Sequence, residues 1–142
     1  MSLLELLPQQ GRWRLLDEVV AHDDTSITTT RTYDEAFAEG HFPDQLVVPG
    51  VALLESMAQS MLILARLRDP VVDGIPFLAG FDRVRFRAPV FPPATVRFEV
   101  RIVEERAGMT MATANAFVGE QRVCSAKLTG AVMPTPGEAV ET

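Results

Sequence analysis

Cysteine is almost missing from this chain. Cys124 stands alone, so no disulfide can close within the chain and no thiolate cage can hold a metal by itself. Positive charge is in deficit: 13 Lys and Arg against 19 Asp and Glu leave a net charge of −6. A general nucleic-acid binder carries the opposite excess. No long apolar run goes unbroken either. The most apolar stretch, residues 47–67, contains Pro49, Gly50, Glu55 and Gln59, whereas a membrane span needs about 20 residues with few or no charges. Residues 1–7 lack a basic start and include Glu5, which is too short and too acidic for a secretory leader. There is no internal repeat and no low-complexity segment. A cytoplasmic, globular chain is the default left by these absences. Its 142 residues, 47% of them apolar, come close to the ~150 of one domain. A chain of this size buries about two-thirds of its unfolded surface and needs no metal or disulfide staple. One domain over residues 1–133 is expected, followed by a polar tail at 134–142.

The local signals describe one buried helix and several strands. Residues 2–7 read as a short helix ended by Pro8. Residues 13–21 are apolar enough for a strand, His22-Asp23-Asp24 is a turn signal, and the Thr-rich residues 27–33 favour a strand. Asp34 can cap one helical turn over residues 34–38, and a loop follows to Pro49. Residues 51–67 form the one long helix, about 25 Å at ~1.5 Å per residue. It starts after a Pro-Gly pair and ends in Arg66 and Arg68, which suit the negative end of the helix dipole. Apolar residues occupy nearly all of its faces, so something must wrap it. The second half supplies the wrapper. Arg83-Val84-Arg85-Phe86-Arg87 alternates with period two inside residues 77–89. Val96, Phe98, Val100 and Ile102 alternate with Arg97, Glu99 and Arg101 in residues 95–103, the cleanest half-buried strand signal in the chain. Gly108 and Gly119 punctuate two more strands, 109–118 and 121–133. The class is α+β: a central helix against an antiparallel sheet with one wet face.

Two histidines limit proton chemistry near neutral pH. His22 lies in an acidic turn and reads as a solvated surface residue. His41 sits in Gly40-His41-Phe42-Pro43, just before the Pro49-Gly50 start of the helix. One turn into that helix stands Glu55, among Leu53, Leu54, Ser56 and Met57. A carboxyl on a buried helix is costly unless partnered, and Gln59, four residues on, shares its face. A histidine can take a proton near pH 7. A carboxylic acid shielded from water can give one. Gly50 offers a backbone N–H where the helix dipole favours negative charge. Base, acid and oxyanion donor suffice to remove a proton beside a carbonyl and expel a β-hydroxyl. The same residues also fit a core histidine and a glutamate buried for packing specificity.

The stretch His41-Phe42-Pro43-Asp44-Gln45-Leu46-Val47-Val48-Pro49-Gly50-Val51, followed by Glu55-Ser56-Met57-Ala58-Gln59, resembles the signature of the 3-hydroxyacyl-[acyl-carrier-protein] dehydratases. Leu6-Leu7-Pro8 with Leu15-Leu16-Asp17-Glu18-Val19 resembles that family's N-terminal strand. Leu78-Ala79-Gly80-Phe81-Asp82-Arg83-Val84-Arg85-Phe86-Arg87-Ala88-Pro89-Val90 resembles its strand after the central helix. The resemblance implies a hot-dog fold, a long helix wrapped by a curved antiparallel sheet. It implies a homodimer, open to further assembly as a trimer of dimers, in which His41 of one subunit faces Glu55 of the other. His41 would take the C2 proton of a (3R)-3-hydroxyacyl thioester, the Gly50 N–H would hold the thioester oxygen, and Glu55 would protonate the departing hydroxyl. Gln59 matches a glutamine that supports this acid. No metal and no organic cofactor are implied, because the phosphopantetheine arm comes with the acyl carrier protein. Glu55 in place of aspartate resembles the branch that dehydrates without isomerising. Three positions depart from the pattern: Asp44 where glycine is common, Leu46 where proline is common, and Gln9 where a histidine often follows the first Leu-Pro. They suggest a diverged member, in fatty acid or polyketide-like biosynthesis.

An acyl chain needs a dry tunnel, since each buried CH₂ contributes about 0.8 kcal/mol. Leu53, Met57, Phe77, Leu78 and Phe81 are candidates to line it, and plain core packing is the competing account of each. Arg83, Arg85, Arg87, Arg97 and Arg101 crowd the outward face of two strands and are candidates to dock an acidic carrier protein. A solvated strand face explains them as well. A hot-dog thioesterase and a non-catalytic carrier-binding protein are the competing functions. The His-Phe-Pro motif and intact His41 and Glu55 favour the dehydratase.

Overall fold

The structure, a computed structural model, describes residues 2–70 and 74–133; the expected polar tail at 134–142 lies outside them. Two 3₁₀ turns, Leu3–Leu6 and Gly11–Trp13, precede strands β1 (Glu18–His22) and β2 (Ser26–Tyr33). Helix α1 (Gly50–Arg68) follows, then β3 (Ile75–Phe86), β4 (Ala94–Arg106), β5 (Met109–Val118) and β6 (Gln121–Met133). The strands form one sheet in the order β1-β2-β4-β5-β6-β3, with every pairing antiparallel. Helix α1 packs across β2, β4, β5 and β6. This is the expected helix-on-sheet architecture.

The periodicity of β4 explains how the helix is held. Val96, Phe98, Val100 and Ile102 are buried, while Glu99 and Arg101 face water. On β5 the buried positions are Ala112, Ala114 and Ala116, small side chains that leave room for a helix close against the sheet. From α1 come Met57, Ile63 and Leu64, all fully buried. Ala107 and Gly108, at φ 48° and 80°, make a two-residue turn between β4 and β5 with both residues left-handed, which matches the twist of a hairpin. Cys124 is a buried core residue, and burial pushes its thiol up to about 11.

Three sequence readings are corrected. Residues 13–21 are not one strand: the chain turns at Gly11–Trp13 and pairs only from Glu18, with His22 the last residue of β1 rather than part of the turn. Apolar content without alternation does not specify a strand. Second, the faces of α1 are less uniformly apolar than the sequence reading had them. By length and composition it could cross a membrane, yet more than half of its most apolar window is buried in the fold, Val51 is 72% exposed, and its buried stripe includes Ser56, Gln59 and Ser60. These polar groups are paired. Ser56 Oγ donates to Leu15 O at 2.6 Å and meets the Tyr33 hydroxyl at 2.5 Å; Ser60 Oγ lies 2.8 Å from Thr29 Oγ1. Burial holds the Tyr33 phenol well above its ordinary range. Third, the alternation at 83–87 is interrupted. The β3–β6 register shifts between Asp82 and Arg85, Arg83 adopts φ 53°, and Phe86 ends 55% exposed. An extra residue in one strand re-aims the side chains after it.

Candidate active site

His41 is fixed by a compact loop. Its N–H donates to Ala38 O at 2.9 Å, and its carbonyl accepts from Val47 N at 2.7 Å. Before the loop, Asp34 accepts from Phe37 N at 2.8 Å, the cap expected from the sequence. The ring is held too: His41 Nδ1 lies 2.8 Å from Val47 O. A carbonyl can only accept, so Nδ1 carries the hydrogen, and neutral imidazole then has its lone pair on Nε2. Phe42 stacks on the ring with centroids 4.1 Å apart. The imidazole lines an open groove with Gly50, Leu53, Phe86 and Arg87. Gly50 opens α1, and the N–H groups of a first helical turn have no acceptor inside the helix. A Cβ at Gly50 would lie 2.6 Å from the Phe86 ring, so a larger residue there would have to push that ring aside.

Glu55 opens elsewhere. It lines a separate cavity of about 130 Å³ with Gln9, Met61, Phe77, Leu78, Thr110 and Gly130 among its walls. Its Oε2 accepts from Gln59 Nε2 at 2.8 Å. Gln59 is anchored at both ends of its amide: Nε2 also donates to Trp13 O at 2.7 Å, and Oε1 accepts from Leu15 N at 2.9 Å. The helix spacing that pairs Gln59 with Glu55 was readable from the sequence. The clamp onto residues 13–15, more than forty positions away, was not. Within one chain, His41 and Glu55 thus line different cavities.

The remaining candidates divide. Phe77, 53% exposed, and Leu78 line the Glu55 cavity, and Leu53 lines the His41 groove instead. Phe81 is half-buried against the core, and Met57, fully buried, lines neither space. Core packing is therefore its role. Met57→Ala should cost about 2–5 kcal/mol of stability, read as a lowered urea midpoint with an unchanged slope. Arg83, Arg85 and Arg87 line a shallow groove with Lys127, Asn115 and Ser125, and Arg87 donates to Ser125 Oγ at 3.1 Å. Arg97 is spoken for: it pairs with Glu99 at 2.9 Å and stacks on Phe117 at 4.6 Å. Arg101 is exposed on β4 outside that groove. The turn after His22 is built by Asp23 Oδ1, which accepts from Thr25 N and Ser26 N at 2.9 and 2.8 Å. These bonds hold its carboxyl below the usual range.

A family model described as the FabA-like domain matches residues 7–127. Among curated proteins, the 3-hydroxyacyl-[acyl-carrier-protein] dehydratase FabZ of Clostridium perfringens strain SM101 is 34% identical over 133 residues, covering 92% of this chain and 96% of its own. The FabZ of Shewanella pealeana is 37% identical over 135 residues, covering 89% and 87%. Among solved structures, the dehydratase heterocomplex ApeI:P from Xenorhabdus doucetiae matches with a TM-score of 0.82 at 16% identity, covering 97% of this chain and 94% of that one. The PaaI protein of the E. coli phenylacetic acid degradation operon matches with a TM-score of 0.65 at 10% identity, covering 80% of each. At such identities the structural likenesses establish a shared fold.

Proposed function

The chain belongs to the FabA-like domain family, and from that premise we infer that it is a 3-hydroxyacyl-[acyl-carrier-protein] dehydratase, a hydro-lyase worked by His41 and Glu55. His41 Nε2 takes a proton from C2 of the thioester. The electron pair left on C2 forms the C2–C3 double bond, and the C3–O bond breaks. Glu55 gives its proton to the leaving oxygen, which departs as water, and the product is the 2-enoyl thioester. Negative charge on the thioester oxygen during the step is held by the Gly50 N–H at the start of α1. The observation that carries this reading is the hydrogen bond from His41 Nδ1 to Val47 O, which leaves the other ring nitrogen a base.

The site is shared between two copies of the chain. One protomer supplies base and oxyanion donor in the His41 groove, and its partner supplies the acid in the Glu55 cavity. Two features support this. Strand β3 lies at the sheet edge with Ile75, Phe77, Leu78 and Phe86 exposed, and a long apolar edge invites pairing with another strand. Phe42 and Val51, beside the His41 groove, are exposed as well. Phe77 and Leu78 then wall the acyl chain. The acidic carrier protein docks on Arg83, Arg85, Arg87 and Lys127; Arg87 edges both that basic groove and the His41 groove, so the phosphopantetheine arm has a short path inward. No cofactor enters any step, and the enzyme works in the cytoplasm on fatty acid or polyketide-related chains. The test is a spectroscopic assay with a 3-hydroxyacyl thioester. Enoyl absorbance without free thiol is the expected result; free thiol without enoyl would make the protein a thioesterase.

A further inference from the structure

Residues 13–15 belong to no strand; they close the Gly11–Trp13 turn and lead toward β1. Side chains of α1 hold their backbone. Ser56 Oγ donates to Leu15 O at 2.6 Å. Leu15 N donates to Gln59 Oε1 at 2.9 Å, while Gln59 Nε2 donates to Trp13 O at 2.7 Å and to Glu55 Oε2 at 2.8 Å. Ser56 and Gln59 are both fully buried. Each hydrogen in this chain of bonds has one place. A peptide N–H only donates and a carbonyl only accepts, so Leu15 N takes the amide oxygen and Trp13 O takes one amide hydrogen. The other amide hydrogen faces Glu55. Leu15 O likewise claims the Ser56 hydrogen, and the Tyr33 hydroxyl, 2.5 Å away, donates to Ser56 Oγ.

The orientation of that amide decides where the acid keeps its proton. With Nε2 toward Glu55, Oε2 can only accept, so a neutral Glu55 carries its proton on Oε1, available to the leaving hydroxyl. Turned over, the amide would present its own oxygen to Glu55. The acid would then donate to Gln59 and hold its proton away from the substrate. An amide has nearly the same shape either way round, so its surroundings must choose. Here the turned-over form would set Nε2 against the Leu15 N–H and Oε1 against Trp13 O, two mismatched contacts in a buried place. The choice depends on where residues 13–15 lie, and Ser56 ties Leu15 to the helix at a second point. We propose that Ser56 is a positioning residue for the dehydration: its bond to Leu15 O holds the backbone that orients Gln59, and so keeps the Glu55 proton on the oxygen that serves the substrate. Ser56 acts on the chemistry only through Gln59, and it neither gains nor loses a proton. The proposal rests on the dehydratase reading and deepens it.

The experiment reads kcat and KM on a 3-hydroxyacyl thioester for wild type, Ser56→Ala, Gln59→Leu, the two combined, and Ser60→Ala. Ser60 is the control: it stands one turn further along α1, equally buried, with its hydroxyl on Thr29 rather than on residues 13–15. Ser56→Ala should lower kcat about tenfold, the worth of one buried hydrogen bond, with KM steady because the acid works in the elimination step. Ser60→Ala should cost similar stability and leave kcat alone. On the Gln59→Leu background, Ser56→Ala should take nothing further from kcat, since the two residues act in series. Ser56→Cys keeps the volume but only a weak donor; it repeats the test without a void, and its kcat should fall between wild type and Ser56→Ala. Trp13 is the one tryptophan in the chain, so its fluorescence anisotropy reports on the segment and should drop in Ser56→Ala but not in Ser60→Ala. The proposal is overturned if the Ser56 variants keep the wild-type kcat, if Ser60→Ala loses as much, or if the losses at Ser56 and Gln59 multiply. A wild type that forms no enoyl thioester removes the dehydratase reading, and this proposal with it, before any variant is compared.

Discussion

Exchanging His41 for alanine should slow enoyl formation by about 10²–10⁴-fold, the usual worth of a positioned base, while the chain stays folded. The ring is partly exposed and makes one hydrogen bond, from Nδ1 to Val47 O, so its loss removes on the order of 1 kcal/mol of stability. The loop does not depend on it, because the main-chain bonds from His41 to Ala38 and Val47 remain. Steady-state rates on a 3-hydroxyacyl thioester, with circular dichroism as the control for folding, separate the two effects. Since the base acts on the reacting C–H and not on the resting chain, kcat should carry the loss and binding of a saturated acyl thioester should hold steady. A variant that keeps more than a tenth of the wild-type rate would remove His41 from the chemistry.

How far the sequence speaks depends on the range of the interactions involved. Strand β4 was readable because one face is packed and the other wet, so each residue reports its own side. Helix α1 was readable from its length and its Pro-Gly start. The pairing of Glu55 with Gln59 follows from helix geometry alone. Long-range commitments were hidden. Nothing local says that Gln59 reaches back to Trp13 and Leu15, or that Ser56 answers Tyr33 and Leu15. A buried seam of Ser56, Gln59 and Ser60 on an otherwise apolar helix was the available signal, because such groups must find partners elsewhere. The bulge at Arg83 was hidden for a related reason: alternation counts residues, and one inserted residue reverses the count. Met57 looked like a tunnel wall because its type fits either role, and only the packing of α1 on the sheet assigns it to the core. His41 and Glu55 were named from their chemistry and a motif, and their separation into two cavities of one chain was expected only through the family resemblance, since no local pattern carries it.

That separation leads to the second large effect. Glu55→Gln keeps the shape of the side chain and an oxygen for Gln59 to bond, but removes the acidic proton, so the rate should fall by about 10²–10⁴-fold. His41→Ala and Glu55→Gln are then two dead enzymes with complementary lesions. If each site takes its base from one protomer and its acid from the other, subunit exchange between the two variants restores activity that neither has. Random pairing makes about half of the dimers mixed, and in each mixed dimer one site joins two intact groups while the other joins both lesions. Equal mixtures should therefore reach about a quarter of wild-type activity, measured after co-expression or joint refolding, and the two proteins simply combined should approach that level only as fast as subunits exchange. Mixtures that stay at the rate of the separate variants would mean that each chain closes its own site, which would require the His41 groove and the Glu55 cavity to merge within a single protomer.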